Sequence, residues 1–234
     1  FLDCVFHDFR RVGLYGEAGG NNSTGFDTRA QFEFNPTDEP GSTGATVTRT
    51  GSHLGAGVPT DETGTGILLT SGEAGYASLH LRHSRVAENW NDGVRLLAAA
   101  ADQGNGSVWP SGTYLKAHKS SIEMNRKHGF NLEASGASVG STWHGSGSPN
   151  YYRRVNTEPI YLGDFPAENA NTLHYGMGVI NACSINNNGL NGTGDGINVA
   201  ISGQSHAGVA ITNNIIWNNV GVGVRLGSGG TIFS

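Results

Sequence analysis

Cysteine is nearly absent from this chain of 234 residues. The two present, Cys4 and Cys183, give neither a disulfide framework nor the paired spacing of a zinc site. Charge is sparse as well: Asp, Glu, Lys and Arg together make up 14% of residues, Lys being the rarest of them, and the formal net charge is −5. General nucleic-acid binding, which needs a basic surplus, is therefore not expected. No apolar run approaches the roughly 20 residues that cross a bilayer as a helix, and the first residues lack the basic and apolar regions of a signal peptide. Phosphate-binding glycine loops, a Ser/His/Asp ordering signal and metal-ligand spacings are missing too, the nearest being the pair His7-Asp8. No cofactor is expected.

What the chain has is glycine, 37 of them, and asparagine, abundant in the second half. That much glycine disfavours a helical bundle. Apolar residues still reach 36% and fall in short β-branched groups such as Val209-Ala210-Ile211 and Ile215-Ile216-Trp217. Short strands punctuated by Gly and Asn are the expected outcome. Sequons at Asn21, Asn22, Asn105 and Asn191 are chance-level in so Asn-rich a chain. The ends, Phe-Leu-Asp-Cys and Thr-Ile-Phe-Ser, read as mid-strand and point to a longer or processed protein.

One pattern recurs: apolar-x-x-Asn-x-x-x-Gly-apolar-x-apolar. Val86, Asn89, Gly93, Val94 and Leu96 match Ile122, Asn125, Gly129, Phe130 and Leu132 without a gap, and both match Ile216, Asn219, Gly223, Val224 and Leu226. A fourth copy has Ile185 and Asn188, then four extra residues before Gly196, Ile197 and Val199; a degenerate first copy has Phe6, Gly13 and Leu14, with Phe9 at the Asn position. Each copy reads as two short strands flanking a turn, in which Asn tolerates a left-handed backbone and Gly permits re-entry. One coil cannot bury its apolar face alone, so coils must stack, with Asn89, Asn125, Asn188 and Asn219 forming a ladder and Val86, Ile122, Ile185 and Ile216 equivalent.

The spacing resembles the parallel β-helix repeats of the pectate-lyase-like superfamily, which includes polysaccharide lyases, glycoside hydrolases, epimerases and phage tailspikes. The resemblance implies an all-β, right-handed parallel β-helix over 1–234, with loop excursions at about 17–75, 97–113 and 133–176. The first holds strand-like pieces at Ala30–Phe34 and Ile67–Thr70 that could form an irregular coil. The second could form a helical turn or a lid.

Strand alternation assigns Leu79, Leu81, Leu115, Ala117, Ile180, Val209 and Ile211 inward. His80 and Arg82 on one coil, and Lys116 and His118 on the next, then face outward as one basic patch, extended by His83, Arg85 and Lys119. Such a patch is either ordinary solvated surface or a site whose like charges an anionic ligand neutralises. The implied ligand is a polyanion such as a uronate-containing polysaccharide. Lyase chemistry needs a cation at the carboxylate, a base and an acid, for which Lys116, Arg82, His80 and His118 are the candidate catalytic residues.

Arg95, Asn131, Asn198 and Arg225, with Tyr15, form a second outward column suited to glycan hydrogen bonding or to plain solvation. Trp143, Tyr151, Tyr152 and Arg153 in the third excursion are further substrate-binding candidates. A hydrolase would use two facing carboxylates drawn from Asp92, Glu88, Glu123, Glu133 and Asp195, the last in a Gly-Asp-Gly turn signal. The function expected is an extracellular or virion-borne protein that binds and cleaves an acidic polysaccharide, by elimination rather than hydrolysis. The alternative is a structural or adhesive solenoid, trimeric if it is a tailspike shaft.

Overall fold

The structure is a computed structural model that describes residues 1–19, 28–35, 44–51, 63–72, 75–99, 112–135, 138–139, 178–202, 206–228 and 231–233. Its strands wind into a parallel β-helix with three sheets. The first sheet stacks β1 (Cys4–His7), β4 (Ala45–Thr48), β7 (Arg85–Ala87), β10 (Ser121–Glu123), β14 (Ser184–Asn186) and β17 (Ile215–Trp217). The second stacks β2 (Val12–Ala18), β5 (Thr65–Ser71), β8 (Val94–Ala99), β11 (Phe130–Ser135), β15 (Ile197–Ser202) and β18 (Val224–Ser228). The third holds β3 (Thr28–Phe34), β6 (Gly75–Arg82), β9 (Gly112–His118), β12 (Ser138–Val139), β13 (Gly178–Asn181), β16 (His206–Thr212) and β19 (Thr231–Phe233). Every pairing is parallel, and no helix occurs among the described residues.

The register is the one the repeat predicts. Val86 pairs with Ile122, Ile122 with Ile185 and Ile185 with Ile216, while Phe6 and Val47 continue the column. Val47 belongs to a complete coil within 17–75, since β3, β4 and β5 are all rungs. Inward residues from the three sheets meet along the axis: Val86, Ile122 and Ile185 from the first, Leu69, Leu96 and Leu132 from the second, Leu79, Leu115 and Ile180 from the third, all with zero exposed surface. Removing side chains of this size from water stabilises by roughly 1.5–3 kcal/mol each.

The bends depart from the sequence expectation in one respect. The left-handed residue is not the ladder Asn but the one before it: Asp8, Arg49, Glu88, Met124, Asn187 and Asn218 all have φ between 53° and 60°. A left-handed non-glycine costs about 1–2 kcal/mol, and the residue after it recovers that. Asn89 Nδ2 donates to Asn125 Oδ1, Asn125 Nδ2 to Asn188 Oδ1, and Asn188 Nδ2 to Asn219 Oδ1, each at 2.9 Å. The same oxygens accept the backbone N–H of the preceding coil's Asn at 3.0–3.2 Å. Thr50 occupies the column in the second coil and Phe9 in the first.

The repeat glycines serve this ladder sterically, and none of Gly93, Gly129, Gly196 and Gly223 has a positive φ. A Cβ on Gly129 would lie 2.6 Å from Gly196 O and 2.9 Å from Asn188 Nδ2, and the contacts at Gly93 and Gly196 are equally short. Asn and Gly in the pattern are thus the two faces of one contact. The bend between the third and first sheets repeats the device, with His83, Lys119, Ala182 and Asn213 left-handed and Ser84, Ser120, Cys183 and Asn214 behind them.

One rung of the third sheet is assembled from two stretches. β12 pairs with β9 at Thr113 and with β16 at Ala207; β13 pairs with β9 from Lys116 and with β16 from Val209. Val139 and Gly178, far apart in sequence, thus belong to the same rung.

Candidate functional site

On the outer face of the third sheet, His80 pairs in register with Lys116, and Arg82 with His118. Because Leu79, Leu81, Leu115 and Ala117 turn inward, alternation places the four basic side chains on one outer face, across rungs about 4.8 Å apart. The surroundings grade along the column. Glu33, aligned with His80 on the preceding rung, brings Oε1 to 3.4 Å from His80 Nδ1. On the following rung Val179 and Asn181 align with Lys116 and His118, and His118 Nδ1 lies 3.1 Å from Asn181 Oδ1.

These groups are less solvated than an outward position implies. The His80 side chain is 13% exposed, and its ring packs edge-on to Tyr114 at 5.6 Å. Burial lowers the His80 pKa against the opposing pull of Glu33, with Lys116 and Arg82 lowering it further. Burial and then the Arg82 charge lower that of Lys116. Burial alone raises the Tyr114 phenol to about 12. A lysine of lowered basicity beside a permanent guanidinium offers a base and a carboxylate partner on one face.

The second sheet carries a denser polar array. Arg95, Asn131, Asn198 and Arg225 do align on successive rungs. Their groups are spent within the solenoid: Arg95 grips Glu133 through Nε and a terminal nitrogen at 3.0 and 3.1 Å, and Asn198 Nδ2 donates to Asn131 Oδ1 at 2.9 Å. Asn131 Nδ2 donates to Asp92 Oδ2 at 2.8 Å and to Glu133 Oε1 at 2.6 Å. Arg225 holds Asp195 through Nε at 2.7 Å and a terminal nitrogen at 3.2 Å.

Sequence reasoning missed His128, which joins the two halves of this array. The residues just before the repeat glycines, Asp92, His128, Asp195 and Val222, form a column in which each backbone N–H donates to the preceding side chain. His128 N donates to Asp92 Oδ1 at 3.0 Å, Asp195 N to His128 Nδ1 at 2.9 Å, and Val222 N to Asp195 Oδ1 at 2.8 Å. His128 Nδ1 is therefore an acceptor, and the neutral ring carries its proton on Nε2. Burial lowers the His128 pKa although Asp92 and Asp195 pull it up. Burial raises that of Asp92, which has no exposed surface. Burial also works to raise Asp195, but the hydrogen bonds from Arg225 and the Val222 N–H outweigh it and the net shift is downward. Reading the positions before each Gly as a column would have exposed this Asp-His-Asp alternation.

Elsewhere, Arg85 bridges Glu88 and Glu123 on the first sheet, and Asp8 is held by Arg49 and His7. Trp143, Tyr151, Tyr152 and Arg153 lie outside the described residues. Among the described residues no cluster of His, Cys, Asp and Glu has the makings of a metal site, and no helix is long and apolar enough to cross a membrane. No family model matches the chain, and neither does any curated protein or solved structure.

Proposed function

We propose that this β-helix binds an acidic polysaccharide on the outer face of its third sheet and cleaves it by β-elimination, at the surface of a cell or virion, as the likeness of its repeat to pectate-lyase-like proteins implies. The observation that carries the proposal is the register of His80 with Lys116 and of Arg82 with His118, which collects four basic groups within two rungs. Arg82 neutralises the uronate carboxylate, so that the proton on the adjacent carbon becomes more acidic. Lys116, its basicity lowered toward the working pH, removes that proton. The electron pair forms the carbon–carbon double bond, the bond to the glycosidic oxygen breaks, and His118 supplies the proton to that oxygen. His80, largely enclosed against Tyr114 and next to Glu33, positions Lys116 from the neighbouring rung.

The test is absorbance at 235 nm, which reports the unsaturated product, on polygalacturonate, alginate and glycosaminoglycan substrates. Product formation that is lost in Lys116→Ala and Arg82→Ala, with both variants folded, is the expected result. Absence of product on every acidic glycan would refute elimination.

A second reading, a non-catalytic structural or adhesive solenoid, draws support from the second sheet, where Arg95 and Arg225 are already paired with Glu133 and Asp195. On that reading Lys116→Ala and His118→Ala leave function intact, and the chain associates along its length.

A further inference from the structure

Cations flank His118 on its own rung and on the one before. Arg82 aligns with it on the preceding rung, Lys116 precedes it on β9, and Lys119 follows it at the bend, where the His83 ring lies edge-on at 6.4 Å. Guanidinium and ammonium groups donate hydrogen bonds and accept none. The acceptor comes from the following rung, where Asn181 Oδ1 lies 3.1 Å from His118 Nδ1.

Asn181 is itself fixed. Its backbone oxygen accepts from Lys119 N at 3.1 Å, and its Nδ2 donates to Thr212 Oγ1, one rung further on, at 2.6 Å. With the amide nitrogen turned to Thr212, the amide oxygen is what meets the His118 ring, and that oxygen can only accept. His118 Nδ1 is then the donor in both the neutral and the charged ring, since the partner of one imidazole nitrogen decides where the proton of the neutral form sits. His128 has the opposite arrangement: its Nδ1 accepts from Asp195 N, and its neutral ring is protonated on Nε2.

We infer that Asn181, held by Thr212, is a positioning residue that keeps the proton of neutral His118 on Nδ1 and makes Nε2 the nitrogen that exchanges protons with a bound glycan; the second half rests on the elimination proposed above. The charged His118 ring gives its Nε2 proton to the departing glycosidic oxygen, which takes it on the electron pair of the broken carbon–oxygen bond. The ring is left neutral, its Nδ1–H still bonded to Asn181 Oδ1, so no group turns as the proton leaves. Water then returns a proton to Nε2 and accepts the one that Lys116 removed.

The experiment is nitrogen-15 NMR of the full chain labelled at histidine, recorded well above the ordinary histidine range so that the rings are neutral, with His118→Gln and His128→Gln identifying the two signals. The parent shows His118 protonated on Nδ1 and His128, as the internal control, on Nε2. Asn181→Ala moves the His118 proton to Nε2, the form free imidazole favours; Asn181→Asp, whose carboxylate accepts in the same place, keeps it on Nδ1. Matching urea midpoints show that the variants are folded. In the assay at 235 nm, Asn181→Ala lowers kcat at least about tenfold with KM little changed. The spectra need no substrate, so the two readings fail separately: absence of product on every glycan refutes elimination, whereas a parent His118 protonated on Nε2, as a reversed Asn181 amide would impose, or an unchanged tautomer in Asn181→Ala, overturns the assignment of Asn181. An unchanged kcat in a variant whose tautomer has moved overturns its part in proton transfer.

Discussion

Replacing Asn125 with Ala puts the ladder to a quantitative test. Its Oδ1 accepts from Asn89 Nδ2 at 2.9 Å and Asn89 N at 3.2 Å; its Nδ2 donates to Asn188 Oδ1 at 2.9 Å and, less well, to Val86 O at 3.4 Å. Asn89, Asn125 and Asn188 all have zero exposed surface, so water cannot replace the lost partners without opening the stack. Three good bonds at about 1 kcal/mol each, with two Asn89 donors left buried and unpaired, predict a loss of roughly 3–5 kcal/mol. Asn219→Ala at the last described rung removes the acceptor for Asn188 and one bond to Ile185 O in a partly exposed setting, and should cost about half as much. Urea unfolding followed by circular dichroism measures both. A loss below 1 kcal/mol for Asn125→Ala, or a larger loss for Asn219→Ala, would refute the assignment of cohesion to the ladder.

Gly129→Ala drives a methyl into Gly196 O and Asn188 Nδ2 and is expected to destabilise by about 2–4 kcal/mol in the same assay. Met124→Asn, which places at φ 54° the residue type found at Asn187 and Asn218, should be neutral or stabilising by up to about 1 kcal/mol. His128 and His80 both have lowered pKa values when folded, so the unfolded chain binds their protons more readily. Stability from these groups is complete above the unfolded His value near 6.5 and is lost as pH falls through it toward the folded values. Urea midpoints between pH 7.5 and 5 should therefore decline, and His80→Gln with His128→Gln should flatten that part of the profile.

Much of the fold was legible because the repeat records a tertiary column as a linear spacing: Val86, Ile122, Ile185 and Ile216 are apolar since each fills the same place over its predecessor. The second coil was harder to see. Thr50 stands where Asn is expected, and the chain between Thr50 and Gly66 is longer than in the other copies, so the pattern breaks although Val47 and Ile67 keep their places in the stack. The basic strip needed only alternation and the correct neighbouring coil. His128 needed more, because its role depends on side chains from the coils on either side, Asp92 and Asp195, which no single copy of the repeat contains. The engagement of Arg95 by Glu133 was equally hidden: the two are 38 residues apart, and which outward charges meet is decided by rotamers, not by spacing.

The divided rung formed by β12 and β13 shows where this architecture draws its strength. Val139 and Gly178 are not chain neighbours, yet each half is held above and below by continuous strands, β9 and β16. Cohesion thus runs from coil to coil along the axis, through the pairing of each half with β9 and β16. A peptide-bond cut between Val139 and Gly178 should accordingly yield two fragments that stay together and unfold as one under urea.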